Sequence, residues 1–442
     1  MNVRQLRFGI IVAAAIASAG CGVFGHKKAS TPVLGERIAV LATESDVSVD
    51  PATAALPMSL PPAVVNPAWS QSGGNASKVM GQLALGTSLA QAWEASIGQG
   101  TSLAARLAAA PVVADGRVYT IDTLATVRAF DAQTGAALWR TQFGTEKGND
   151  AALFGGGLAF DNGRIYATNG LGFVAALDAS NGGIAWQVRP GGPLRGSPTI
   201  AGDAVYVMSQ DNQIYSLKLS DGTTNWSEAA ALEIAGIFGV ASPAYAQGTI
   251  VAGFSSGELN AYRYENGRVV WQDALARTSI RTSVSSLSDI DADPVIDNGQ
   301  VIAIGQGGRM VAMELITGQR MWELNLAGIA TPWVAGDWVF VVTSDAKLMA
   351  IARTNGKVRW ITQLHEFRNE KSKNGPINYS GPILAGGRLI VTGTNGAIMF
   401  VNPDTGAIEG QTAVKSSITL PPVVANNTLY VLDDSGRLHA FR

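Results

Sequence analysis

The sequence predicts an all-β protein, an eight-bladed β-propeller with four-stranded antiparallel blades whose ring is closed by an N-terminal strand. Three observations predict it. From about residue 90 onward the chain repeats a unit of about 40 to 50 residues, long enough for four short strands, which is the period of a propeller blade. A Trp recurs near the end of almost every unit. The last unit stops one strand short, and a segment that fits the gap stands before the first unit.

The units begin with PVVADGRVYTIDTLATVRAFDAQTGAALWR (111–140) and LAFDNGRIYATNGLGFVAALDASNGGIAWQVR (158–189). Five more follow over 197–226, 242–271, 293–322, 331–360 and 381–410, and an incomplete one covers 421–442. Each has the same grammar. A short β-branched strand meets a turn such as Asp115-Gly116 or Asn298-Gly299, and then an alternating strand (Val118-Tyr119, Val205-Tyr206, Val301-Ile302). A polar or Gly turn such as Asn212 or Ser435-Gly436 leads to a third strand of small and aliphatic residues. An Asp/Asn-x-x-Thr/Asn-Gly turn then precedes the Trp strand. Asn-Gly and Asp-Gly pairs between short apolar strands are the strongest local signal for hairpins. Helical spacing is not sustained in any unit.

The Trp series is Trp139, Trp186, Trp226, Trp271, Trp322 and Trp360, with Gly410 at the seventh position. LAQAWEASIG (89–98) carries Trp93 at the expected place and supplies the strand the eighth unit lacks. Such a closure removes an open sheet edge. One Trp per unit in register is read as packing between blades, not as a ligand-stacking set.

Composition excludes several functional classes. Lys+Arg 32 against Asp+Glu 34 gives a formal net charge of -2, without the concentrated basic surface that nucleic acid requires. One Cys excludes a disulfide scaffold and any CxxC site, and three His leave little for a zinc site or a His-based triad. The 51 Gly and the low charged share of 15 % fit a turn-rich globular protein.

The N-terminus carries a targeting pattern. Arg4 and Arg7 precede an apolar run from Gly9 to Ala19, which is shorter than the roughly 20 residues a spanning helix needs. Ser18-Ala19-Gly20-Cys21 then resembles the bacterial lipobox, with Ser18 where Leu is usual. The resemblance implies cleavage before Cys21, diacylglyceryl and palmitate attachment there, and an outer-membrane address on the periplasmic side, because position +2 is Gly22. Residues 1–20 are thus expected to be a lipoprotein signal peptide, 21–80 a lipidated tether and extension, and 81–442 the propeller.

The AxDxxTGxxxW-like unit ends (Ala129 to Trp139, more loosely Ala176 to Trp186) resemble the pyrroloquinoline-quinone-type propeller repeat over 90–442. Together with the lipobox and the blade count, the chain resembles the BamB family of outer-membrane protein assembly factors. The most specific local match is Leu287-Ser288-Asp289-Ile290-Asp291-Ala292-Asp293-Pro294, which resembles the family's LSDxDxxP loop. The resemblance implies a non-catalytic scaffold that binds the POTRA domains of the barrel-forming subunit BamA, other BAM subunits and nascent outer-membrane proteins. It places acidic contacts at Asp289 and Asp291 and apolar ones at Ile237 and Phe238, in AGIFGVASP (235–243). No cofactor and no metal are expected. An EF-hand-like reading of 289–300 fails because Pro294 and Gln300 stand where Gly and Glu are needed. A quinoprotein dehydrogenase would need a disulfide of neighbouring cysteines, and Cys21 is unique. A propeller binding peptidoglycan or another protein is the alternative from a different class.

Overall fold

The computed structural model describes residues 47–232, 241–275 and 288–442. Among them stand eight four-stranded sheets in sequential strand order, each one blade, and one two-stranded hairpin (Phe367–Asn369 with Asn374–Pro376). The first blade is typical. Its inner strand Val112–Ala114 pairs with Arg117–Ile121, which is followed by Thr126–Asp131 and the outer strand Ala137–Gln142, all antiparallel. The eighth blade takes its outer strand from Gln91–Ser96, which pairs with Arg437–Phe441 in the register Glu94↔His439 and Ala95↔Leu438. The chain thus closes its own ring.

Strand composition follows from position in the blade. The second strands were expected to alternate, yet Ala204–Ser209, Thr249–Gly253 and Gln300–Gly305 are buried along their whole length. Neighbouring blades cover both of their faces, and a strand covered twice is free to be continuously apolar. Outer strands such as Ala137–Gln142 do alternate, with one side in solvent.

The inner hairpins all use two-residue turns. In six of the eight both turn residues have positive φ, as at Asp115 (50°) with Gly116 (70°) and Asn298 (47°) with Gly299 (76°). The other two place a positive-φ Gly first, at Gly202 and Gly336. These are the turns whose twist matches that of paired strands.

The Trp residues are staples between blades. The indole N–H of Trp139 donates to Ala179 O (3.0 Å), that of Trp271 to Leu315 O (2.8 Å) and that of Trp322 to Arg353 O (2.7 Å), each carbonyl lying in the next blade. The glycine ending the last turn of that next blade packs on the indole. A Cβ on Gly318 would lie 2.5 Å from Trp271, and one on Gly356 2.9 Å from Trp322. Trp93 reaches from the eighth blade to Ala132 O of the first (3.2 Å) in the same way. Gly410 is now explained. The blade it would staple receives its outer strand from 91–96, so no turn leads into that strand and no glycine waits for an indole.

Residues 47–80, expected as part of a tether and extension, are packed against the ring. Val49 pairs with Val358 at the rim of the sixth blade, and Asp50 caps a short helix, Pro51–Ala54. The chain then enters the axis and meets every inner strand in turn. Asn66 Nδ2 donates to Val424 O, Trp69 exchanges backbone bonds with Val113, and Ser70 O accepts from Phe160 N. Gln71 bonds Ile200, Ala76 O accepts from Tyr245 N and Ser77 O from Ile296 N. Gly81 O accepts from the Trp333 indole, and Leu83 N donates to Leu384 O. These partners belong to blades eight, one, two, three, four, five, six and seven, in that order. Backbone groups that a propeller leaves bare at its axis are thereby satisfied. Nothing in the hydrophobic pattern of this segment announces the arrangement.

Candidate partner-binding face

Two faces of the ring are distinct. One carries the first and last hairpin turns of each blade. The other carries the middle turns and the connectors that lead from each outer strand to the next inner strand, and the described parts of both expected contact segments, 235–243 and 287–294, lie on connectors.

The described part of the second connector is clamped between the fourth and fifth blades. Ser288 Oγ donates to Ser255 O (3.0 Å), Ile290 N to Phe254 O (3.1 Å), and Asp289 O accepts from Gln306 N (2.8 Å). Ile290 is fully buried, and a side chain on Gly253 would collide with it at 2.4 Å. With its backbone held from both sides, the connector turns its acidic side chains inward. Asp289 is 0 % and Asp291 7 % exposed. Asp289 and Asp291, expected as acidic partner contacts, are thus a buried pair, of which Asp291 lines a cavity. Ile237, Phe238 and Cys21 lie outside the described residues.

That cavity has a volume of about 280 Å³ and lies on the axis, above the segment that threads the ring. Trp69 and Trp333 stack in its wall, with ring centroids 6.2 Å apart and planes 15° from parallel. Lys78, Asp291 and Asp293 supply its charged wall, and Arg106 is exposed at its rim.

Lys78 and Asp293 were not singled out as a site from the sequence. Lys78 Nζ donates to Ser72 O (3.0 Å) and Thr199 Oγ1 (3.2 Å) and stands 3.9 Å from Asp293 Oδ2. Asp293 accepts from Ser72 Oγ at 2.5 Å and from Ser242 N at 2.6 Å. Burial pulls the Lys78 ammonium down to about 8, against the attraction of Asp293. Burial also pushes the Asp293 carboxyl up, against the pull of Lys78 and its two hydrogen bonds. Only the DxDxDP spacing hinted at Asp293. The partners of its carboxylate come from segments more than fifty residues away in sequence, beyond the reach of local pattern.

The remaining candidates fall outside any reactive arrangement. His439 is buried in the eighth blade with Nε2 3.0 Å from Asp433 Oδ2, and His365 sits on the exposed connector before the seventh blade. Among the described residues no group of three His, Cys, Asp or Glu is arranged to hold a metal.

Known proteins resemble the chain along most of its length. A profile of the family "Outer membrane protein assembly factor BamB" matches residues 123–362. The BamB of Escherichia coli is 27% identical over 396 residues, covering 79% of this chain and 88% of that protein. The BamB of Salmonella typhimurium is 28% identical over 376 residues, covering 75% and 83%. In solved structures the fold recurs in BamB from Moraxella catarrhalis (TM-score 0.67, 20% identity, 80% of this chain and 100% of that one). It recurs equally in a europium-containing methanol dehydrogenase (TM-score 0.68, 14% identity, 85% and 98%). At such identities a structural likeness speaks for the fold alone, and enzymes and scaffolds share it. The family match covers more than half of the chain: this protein belongs to the BamB family of outer membrane protein assembly factors.

Proposed function

We propose that the protein is a non-catalytic scaffold subunit of the outer-membrane β-barrel assembly complex, and that its connector face docks the POTRA domains of BamA. The family match over residues 123–362 carries this reading, because it spans both connectors. Leu232 supports the docking surface. It is 77 % exposed at the described end of the connector that bears Ile237 and Phe238, an apolar side chain left for a partner to cover. The buried Asp289 holds its connector in shape, and Asp291 meets a partner only through the axial cavity. Cys21 carries the lipid that keeps the ring at the outer membrane, and more than one acyl chain makes such anchoring stable.

The test is co-purification from detergent-solubilised membranes. Leu232→Asp combined with Ile237→Asp and Phe238→Asp is expected to lose BamA while circular dichroism and thermal unfolding stay as in the parent. Retention of BamA by that variant overturns the docking assignment. Cys21→Ala is expected to abolish labelling by radioactive palmitate and to release the protein from membranes, and continued labelling overturns the anchor.

A further inference from the structure

We infer that Asp293 and Lys78 are positioning residues for docking: together they join the axial segment to the ends of both connectors and fix the spacing between them. The inference rests on the docking reading above. Four elements meet at this pair. Asp293 Oδ1 accepts from Ser242 N (2.6 Å), which ends the connector bearing Leu232. Asp293 Oδ2 accepts from Ser72 Oγ of the axial segment (2.5 Å), while the Asp293 backbone N–H donates to Thr331 Oγ1 at the entry to the sixth blade (3.0 Å). Thr199 Oγ1, on the inner strand of the third blade, accepts from Lys78 Nζ and donates to Pro243 O (2.6 Å). Ser242 and Pro243 are therefore held from two sides, once by the carboxylate and once through the ammonium. The Lys78 position is itself set by the turn before it. Gly73 has φ +68°, and a Cβ there would lie 2.8 Å from Lys78 Cδ.

Stability does not explain why such a pair is kept. Lys78 is 2 % and Asp293 4 % exposed, and the two charges stand 3.9 Å apart, too far for an ideal ion pair. Desolvating two charges generally costs as much as their attraction returns, and apolar replacements of similar size are often neutral or better. What an apolar pair could not supply is directional bonding to Ser242 N, Ser72 and Thr199. A rigid partner lying across two connectors gains from a spacing fixed in advance, since nothing is then spent on ordering them.

The experiment separates position from stability. Lys78→Met with Asp293→Leu removes both charges at once and is expected to leave thermal stability equal or raised. Affinity for purified BamA POTRA domains is expected to fall about tenfold. Amide exchange at 241–242 and in 288–293 should accelerate, while the blade strand Gln300–Gly305 keeps its protection. Asp293→Asn, which keeps an acceptor for Ser242 N, should recover most of the binding that Asp293→Ala loses. Parental affinity in the double variant overturns the inference. So does a loss of binding that tracks melting temperature across all three variants. If the parent itself fails to bind BamA, the docking reading falls; exchange confined to the connectors would then show that the pair holds them for something other than BamA.

Discussion

On the turn face of the ring the same devices recur blade after blade. Two-residue hairpins with positive φ, a Thr/Asn-Gly turn and an indole resting on the next blade's glycine are repeated around it. On the connector face the described crossings vary in length and in local structure. One is the five-residue stretch 189–193, another the nine-residue stretch 414–422, and a third carries its own hairpin. The turn face holds the ring together through local chemistry that each unit carries for itself. The connector face is shaped by contacts between residues remote in sequence, such as Asp293 with Ser72 and Ser242. Uniformity marks the part that must close a circle, and variation marks the part that can recognise something.

The largest effect should come from breaking a staple. Trp322→Ala removes a buried indole, its bond to Arg353 O and its contact with Gly356. A loss of about 3–5 kcal/mol is expected for truncating a large buried aromatic, measured by urea unfolding. A loss under about 1 kcal/mol would mean that blade junctions do not depend on these residues.

Two glycines of nearly equal φ separate packing from backbone strain. Gly318 has φ +71° and lies against Trp271, whereas Gly299 has φ +76° with nothing within 4 Å of a Cβ. Gly299→Ala should cost about 1–2 kcal/mol, the usual penalty for a side chain in the left-handed region. Gly318→Ala should cost a further 1–3 kcal/mol or so for overpacking. Equal losses in urea unfolding would show that the indole yields.

Much of the turn face was legible in the sequence because its signals are local. Asp115-Gly116 names its own turn, and the Trp period locates the junctions. Trp93 before the first unit announced the closure that Glu94↔His439 pairing now shows. The axial segment was illegible for a physical reason. It gives each blade one or two contacts, mostly through backbone atoms or polar side chains, and so leaves no periodic apolar trace. The burial of Asp289 was hidden likewise, since Phe254 and Gln306, which pin its connector, lie in two different blades.

A gentler probe acts on the connector side through pH. The folded chain binds the Lys78 proton more weakly than the unfolded chain, with a value of about 8 against 10.5. Between these values the unfolded state holds more protons, so stability should rise as pH climbs from 8 towards 10.5. Tyr206, Tyr262 and Tyr379 act oppositely above about pH 10, because burial raises each of them and the unfolded chain ionises first. The window from pH 8 to 10 therefore lies below these tyrosines, and comparison with Lys78→Met assigns the slope within it. The raised Asp293 value acts the other way, making stability fall as pH rises just above 3.8. Denaturation midpoints of the parent should climb across pH 8 to 10, while those of Lys78→Met stay flatter. Parallel curves would remove Lys78 as the source.

The smallest expected effect tests the one irregular junction of the turn face. If Trp were useful at that strand position in itself, Gly410→Trp should stabilise the ring by completing the series. If an indole is useful only against the next blade's glycine turn, it should do nothing there. The eighth blade has no such turn, because its outer strand arrives from Gln91–Ser96. A Cβ on Gly410 would meet nothing within 4 Å. The substitution should therefore fit without collision and change stability by no more than about 0.5 kcal/mol, as for a surface site without special contacts. Its fluorescence should be that of a solvated indole. A gain of several kcal/mol with a blue-shifted emission would show instead that the seventh and eighth blades can be stapled without a turn, and that the missing Trp needs another cause.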